Sequence, residues 1–209
     1  MAENLGTLNT HFVTPNGLDG IDKKGRHETT AQDLAKIMAR CIKNQQFLEI
    51  TQTKQYIFTD GSRKRRFICN NHNALLSSMQ GVISGKTGYT SKAGYCYVGA
   101  VKQKDMTMTF SVLASGWPPH KTYKWKDVRK LVQYATDHYE RREIIADTSK
   151  IKEISIKNGL KEKVLLKTGN LKAAFLVKKT DKIKIESILP SFIDAPVKEG
   201  QKVGEIKYL

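Results

Sequence analysis

The sequence is short of several things at once. Three cysteines in 209 residues, Cys41, Cys69 and Cys96, are an odd number without paired spacing, which argues against a disulfide framework. Cys69 and His72 are spaced like half of a metal clip, but no Cys-x-x-Cys or His-Glu-x-x-His supplies a second half, so neither a metal nor a cofactor is expected. No run approaches the roughly 18 apolar residues of a membrane-spanning helix, and the opening MAENLGTLNTHF has neither the basic start nor the apolar block of a secretory signal. Acidic residues are scarce as well. Twenty Asp and Glu against thirty-six Lys and Arg leave a net charge of +16, which favours anionic surroundings such as nucleic acid, acidic lipid or an acidic wall polymer. The basic run Arg63-Lys64-Arg65-Arg66 has no interleaved aromatic residues, so nucleic-acid binding is not expected there. It reads first as a solvated hairpin tip and second as a patch that grips an anionic wall polymer.

What is present suffices for a core: 39% of the residues are hydrophobic, enough for one large domain or two smaller ones. HETTAQDLAKIMARCIKN has the marks of a helix. Thr30 precedes Asp33 by three positions as in a capping box, and Ala31, Leu34, Ala35, Met38 and Ile42 fall on one face. The loop before it, TPNGLDGIDKKG, is dense in turn residues. Residues 55–67 predict a hairpin turning at Asp60-Gly61. GYCYVGAVKQKDMTMTFSVLASG predicts two strands turning at residues 103–105, with Met106, Met108, Phe110 and Val112 on one face. Val128, Leu131, Val132, Ala135 and Tyr139 recur at helical spacing over residues 124–139. Near Asp147 the texture changes to short runs of Lys or Glu alternating with β-branched residues, broken at Asn158-Gly159, Gly169-Asn170 and Asp181. The expected organisation is therefore α+β over residues 1–147 and a small all-β domain over 148–209. The five histidines show no mutual spacing that suggests ligation or catalysis. Tyr95, Tyr97, Phe110, Trp117 and Trp125 are expected in the core or a cleft wall.

The triplet Lys-Thr-Gly occurs twice. Lys86-Thr87-Gly88 opens the first strand of the second hairpin, whereas Lys167-Thr168-Gly169 falls at an expected turn of the small β domain. In enzymes that open amides or β-lactams with an active-site serine, a strand bearing this triplet borders the cleft. The ammonium attracts a substrate carboxylate, the threonine hydroxyl bonds it, glycine lets the acyl group approach the backbone, and the next N–H completes an oxyanion hole. Here those residues are Lys86, Thr87, Gly88 and Tyr89. The segments NTHFVTPNGLD, TTAQDLAKIM, NALLSSMQGVISGKTGYTSKAGYCYVGA and APVKEGQKVGEI, in that order, resemble the D-alanyl-D-alanine carboxypeptidases, low-molecular-mass penicillin-binding proteins of the S11 serine peptidase family. The resemblance spans essentially the whole chain. It implies a penicillin-recognising α+β domain, with an antiparallel sheet and flanking helices, followed by a small β domain. The implied activity is removal of the terminal D-alanine from peptidoglycan pentapeptides through a serine acyl-enzyme.

Two of that family's motifs do not fall where the resemblance requires. Ser-x-x-Lys occurs once, at Ser149 to Lys152, after the Lys86 strand rather than before it, and Ser-x-Asn does not occur. The expectation is a C-terminal portion of a secreted or cell-envelope enzyme, inactive alone, with Met1 an internal methionine or an artificial boundary. Such a portion would bind peptidoglycan stem peptides and β-lactams only with an N-terminal part. By itself it would pair with that fragment, self-associate, or fold incompletely over its first 145 residues. No C-terminal amphipathic anchor is recognisable in these residues. The alternative is a non-catalytic remnant that binds the cell wall or a partner.

Overall fold

The structure, a computed structural model, describes residues 3–147, 151–169 and 171–209. The chain divides into two compact units, Met1–Asp137 and His138–Leu209.

The first unit opens with a short ribbon, β1 (Ile21–Asp22) and β2 (Gly25–Arg26), and then helix α1 (Ala31–Cys41). Thr30 is the N-cap, with extended backbone and a side chain that accepts the Asp33 N–H at 3.1 Å. The reciprocal half of a capping box is not formed. The buried Asp33 carboxylate turns instead to the preceding segment, where it accepts the Asn9 N–H at 3.0 Å and the Thr10 hydroxyl at 2.9 Å. The same two groups thus cap the helix and fasten the N-terminal strap to it. Helix α2 (Gln45–Gln52) is capped by Asn44, whose side chain accepts the Phe47 N–H at 3.1 Å. The hairpin β3 (Gln55–Thr59) and β4 (Arg66–Asn70) follows, paired from Gln55 opposite Asn70 to Thr59 opposite Arg66. Then comes the single-turn helix α3 (Leu75–Ser78).

The centre of this unit is an antiparallel sheet in the order β5 (Val82–Thr90), β6 (Gly94–Gln103), β7 (Met106–Val112), so β5 is an edge strand. Helix α4 (Tyr123–His138) supplies Val128 and Val132 to a core shared with Leu75, Tyr97, Val101, Phe110 and Val112. Each such side chain contributes roughly 1.5–3 kcal/mol on leaving water. The β7 alternation holds, with Met106, Phe110 and Val112 buried. Leu131, which the spacing assigned to the buried face of α4, is exposed. Val128 and Val132, one turn apart, set that face, and Leu131 lies off it. The Tyr97 ring lies against the bare backbones of Gly85 and Gly99, where an added Cβ would stand 2.1 and 2.7 Å from ring or hydroxyl atoms.

The second unit is all β: β8 (Tyr139–Ile145), β9 (Glu153–Lys157), β10 (Lys163–Leu165), β11 (Lys172–Lys178), β12 (Ile185–Ile188), β13 (Phe192–Asp194) and β14 (Glu205–Tyr208). They pair as β10–β9–β13, β8–β11 and β12–β14, with β13 parallel to β9 and the other pairs antiparallel. The unit begins ahead of the textural change near residue 147 because β8 pairs with β11 along its whole length, Tyr139 opposite Lys178 and Ile145 opposite Lys172. Among the described residues its buried apolar side chains are Ala146 and Ile154. Ser149 of the lone Ser-x-x-Lys and Asn170 of the Gly169-Asn170 turn lie outside the described residues.

Candidate functional site

Strand β5 carries the first Lys-Thr-Gly triplet, and its register with β6 decides which backbone groups are available. Tyr95 uses its N–H and C=O toward the β7 side, bonding Gly116 O and Ser115 N, each at 2.9 Å. Because antiparallel residues alternate in direction, the next residue, Cys96, faces β5 and forms the hydrogen-bonded pair with Gly88 opposite it. The same alternation turns the N–H and C=O of Thr87 and of Tyr89 away from β6, onto the free edge of the sheet.

The side chains alternate too. Lys86 and Gly88 share the face of Ser84, while Thr87 and Tyr89 share the face of Tyr95 and Tyr97. Lys86 is exposed and its ammonium donates to the Thr87 carbonyl at 2.7 Å, folding over the strand edge. Tyr89 lies against Tyr95, ring centroids 4.6 Å apart. At Gly88 the space in front of the strand is open: a Cβ there would meet only the Cys96 Cβ, at 4.0 Å. Packing does not demand a glycine at this position, in contrast to Gly85.

Both ends of β5 are tied down. At its start the Thr51 and Ser84 hydroxyls bond at 2.9 Å and Gln52 Nε2 donates to Ile83 O at 2.9 Å, so α2 is held against the strand. At its end Thr90 donates to Asp19 at 3.1 Å and accepts the Ala93 N–H at 3.0 Å, and Trp117 Nε1 donates to Ser91 O at 2.8 Å. Behind it, the buried Lys124 ammonium sits 4.6 Å from the Tyr95 ring centroid and 4.7 Å from that of Trp125, and donates to Lys121 O. Burial pushes that ammonium below the usual lysine range, and Cys96 opposes the shift.

Sequence reasoning placed Lys86, Thr87 and Gly88 at the opening of the first strand of the β6–β7 hairpin, with Tyr89 next; they lie instead in the middle of a strand of their own, β5, on an exposed edge, because the chain turns at residues 91–93 before β6 begins. It missed what supports them: the Asp19–Thr90 tie, the Lys124 support under Tyr95, and Asn73, which accepts from the Tyr97 hydroxyl at 3.0 Å and from the Leu75 N–H at 3.2 Å. These depend on contacts between distant segments, and no local spacing announces them. Trp117 is partly exposed and Trp125 packs edge-on against Tyr97. Lys167, of the second triplet, pairs at 3.8 Å with Glu199, both side chains almost fully exposed, in the second unit. Chemically, the β5 edge offers an amide donor, a carbonyl acceptor, a hydroxyl and a cation within four residues. That set can take an extended peptide as an added strand and hold its carboxylate. The one serine of the strand, Ser84, is buried and bonded to Thr51.

Fold and strand together define an α+β penicillin-recognising unit with an all-β companion. The family model described as D-alanyl-D-alanine carboxypeptidase matches residues 1–116, and that of the penicillin-binding protein 5 C-terminal domain matches residues 139–209. The chain belongs to the D-alanyl-D-alanine carboxypeptidase family. It is 27% identical over 208 residues to the D-alanyl-D-alanine carboxypeptidase DacF of Bacillus subtilis, covering 98% of this chain and 51% of that protein. With the D-alanyl-D-alanine carboxypeptidase of Streptomyces sp. strain K15 the identity is 36% over 137 residues, 64% of this chain and 45% of that protein. Among solved structures, penicillin-binding protein 5 from Haemophilus influenzae superposes with a TM-score of 0.69 at 26% identity, over 100% of this chain and 58% of that one. The chain spans about half the length of the curated relatives it matches.

Proposed function

We propose that this chain carries the carboxylate-recognition half of a serine-type D-alanyl-D-alanine carboxypeptidase acting at the cell envelope, which removes the terminal D-alanine of peptidoglycan stem pentapeptides and is acylated by β-lactams. Lys86 attracts the terminal carboxylate and Thr87 bonds it. Gly88 leaves room for the acyl group, and the Tyr89 N–H donates to the oxyanion. The serine nucleophile and its lysine belong to a part of the enzyme outside these 209 residues, so the chain alone does not turn over.

The observation that carries this reading is the free β5 edge. The Tyr89 N–H and Thr87 C=O point outward there, beside an exposed Lys86 and an unfilled space at Gly88. An oxyanion donor must be fixed before the substrate arrives, and the ties at Ser84 and Thr90 fix this strand at both ends.

The test is intact-mass spectrometry with benzylpenicillin, on this chain and on the full-length protein. One acyl adduct on the full-length protein and none on the chain is the expected result. An adduct on the chain alone would place a working nucleophile among these residues and overturn the division of labour proposed here.

A further inference from the structure

The β3–β4 hairpin exposes every one of its ten strand residues. Register puts Tyr56, Phe58, Phe67 and Cys69 on one face and Ile57 and Ile68 on the other. The aromatic face is a continuous stripe: Tyr56 and Phe58 stack with centroids 6.0 Å apart at 29°, and Phe58 and Phe67 at 5.0 Å and 17°. Tyr56, Phe58 and Phe67 are 63%, 41% and 41% exposed as whole residues. A two-stranded hairpin without a covered face is marginal in water, and an exposed aromatic stripe is a cost to solubility that a binding role offsets.

The tip adds charge. Arg63, Lys64, Arg65 and Arg66 form no ion pair among the described residues. The one acid at the tip, Asp60, is taken up by the turn itself. Its carboxylate accepts the N–H groups of Lys64 and Arg65 at 2.9 and 3.2 Å, and these backbone bonds, with the Ser62 hydroxyl, hold it below the usual carboxylate range. Four cations therefore stand at the end of a flat aromatic platform. The sequence alone showed only the cations, because the aromatic residues alternate with others and gather into a stripe only once the strands pair.

We propose that this hairpin is a docking surface for the glycan strand of peptidoglycan. Its aromatic face stacks on sugar rings, and its arginines fork the carboxylates of the attached peptides. The choice of polymer rests on the function proposed above. A second copy of the chain is a poorer occupant, because two chains of net charge +16 repel one another.

The experiment is co-sedimentation of the full-length protein with purified, teichoic-acid-free peptidoglycan, with penicillin acylation measured on the same samples. A Tyr56→Ser/Phe58→Ser double variant and an Arg63→Gln/Lys64→Gln/Arg65→Gln triple variant are each expected to bind about tenfold more weakly, as truncated aromatic and arginine anchors do. Their acylation should stay at the parent rate. Parent-like sedimentation of both variants overturns the proposal, as does tighter binding to a single-stranded oligonucleotide or to acidic phospholipid vesicles than to peptidoglycan. Protection of the tip from trypsin in the unliganded full-length protein also overturns it, since the surface would then be covered already. If the parent protein sediments but takes no penicillin adduct, the enzymatic reading fails while the docking surface stands.

Discussion

A methyl group on Gly85 would sit 2.1 Å from the Tyr97 hydroxyl, while one on Gly88 would find nothing nearer than the Cys96 Cβ at 4.0 Å. Two glycines of one strand thus answer to different demands, and substitution separates them. Gly85→Ala must displace a ring locked in the core and is expected to lose about 1–3 kcal/mol of stability, read by urea denaturation. Gly88→Val should stay within about 0.5 kcal/mol of the parent. In the full-length protein it should nonetheless slow penicillin acylation, because its side chain fills the space that the proposed acyl group needs. Equal stability losses for the two variants would remove the argument that Gly88 is kept open for a ligand. Tyr97 itself supplies a pH dependence. Burial pushes its hydroxyl up to about 12, the Asn73 bond working against the shift, from an ordinary value of 10.0. The folded state then holds a proton that the unfolded chain releases above about pH 10, so stability falls as pH rises from about 10 through about 12, by roughly 2–3 kcal/mol in total. Tyr97→Phe should be less stable than the parent near neutrality, having left Asn73 without that donor, and should lack this alkaline component. Denaturation curves at about pH 8 and pH 11 test it, and an identical alkaline loss in the variant would exclude Tyr97 as its source.

At the scale of elements, α1 is capped by the Thr30 hydroxyl and fastened to the segment before it by the Asp33 carboxylate. Asp33→Ala leaves the Asn9 N–H and the Thr10 hydroxyl without their acceptor, for an expected loss of about 1–3 kcal/mol. Thr30→Ala, which removes the cap alone, should cost about 1 kcal/mol. Asp33→Asn keeps an acceptor oxygen and should fall between Asp33→Ala and the parent in denaturant midpoint. An Asp33→Ala loss no larger than that of Thr30→Ala would mean that the strap contributes nothing. This helix was legible in the sequence because its period and its cap residue are local, and the β6–β7 hairpin was legible for the same reason. Helix α2, QQFLEITQ, was not: its eight residues are too few to repeat a period, its inner face is only the half-buried Phe47, Leu48 and Thr51, and Asn44 caps it without an acidic partner. Helix α3 is a single turn, too short to show a period. In the candidate site, the triplet pointed to the residues proposed above. The outward aim of the Tyr89 N–H, however, follows from how Tyr95 pairs with residues 115 and 116, a register that composition does not encode.

For the whole molecule, the two units pose the question of where the second begins. Composition placed the change near residue 147, yet β8 joins β11 in a seven-residue ladder, and Ala146 donates to Leu171 O at 3.1 Å. A fragment of residues 148–209 would discard that ladder and Ala146, one of the two buried apolar side chains among the described residues of the unit, leaving Ile154. A domain this small has little apolar burial to set against chain entropy, and the unpaired β11 edge would invite association. Residues 138–209 expressed alone should melt cooperatively with a β-type circular dichroism spectrum. Residues 148–209 should show no cooperative transition, or should aggregate. If both fragments melt at the same temperature, β8 is a linker that happens to pair, and the unit that folds begins where the composition changes.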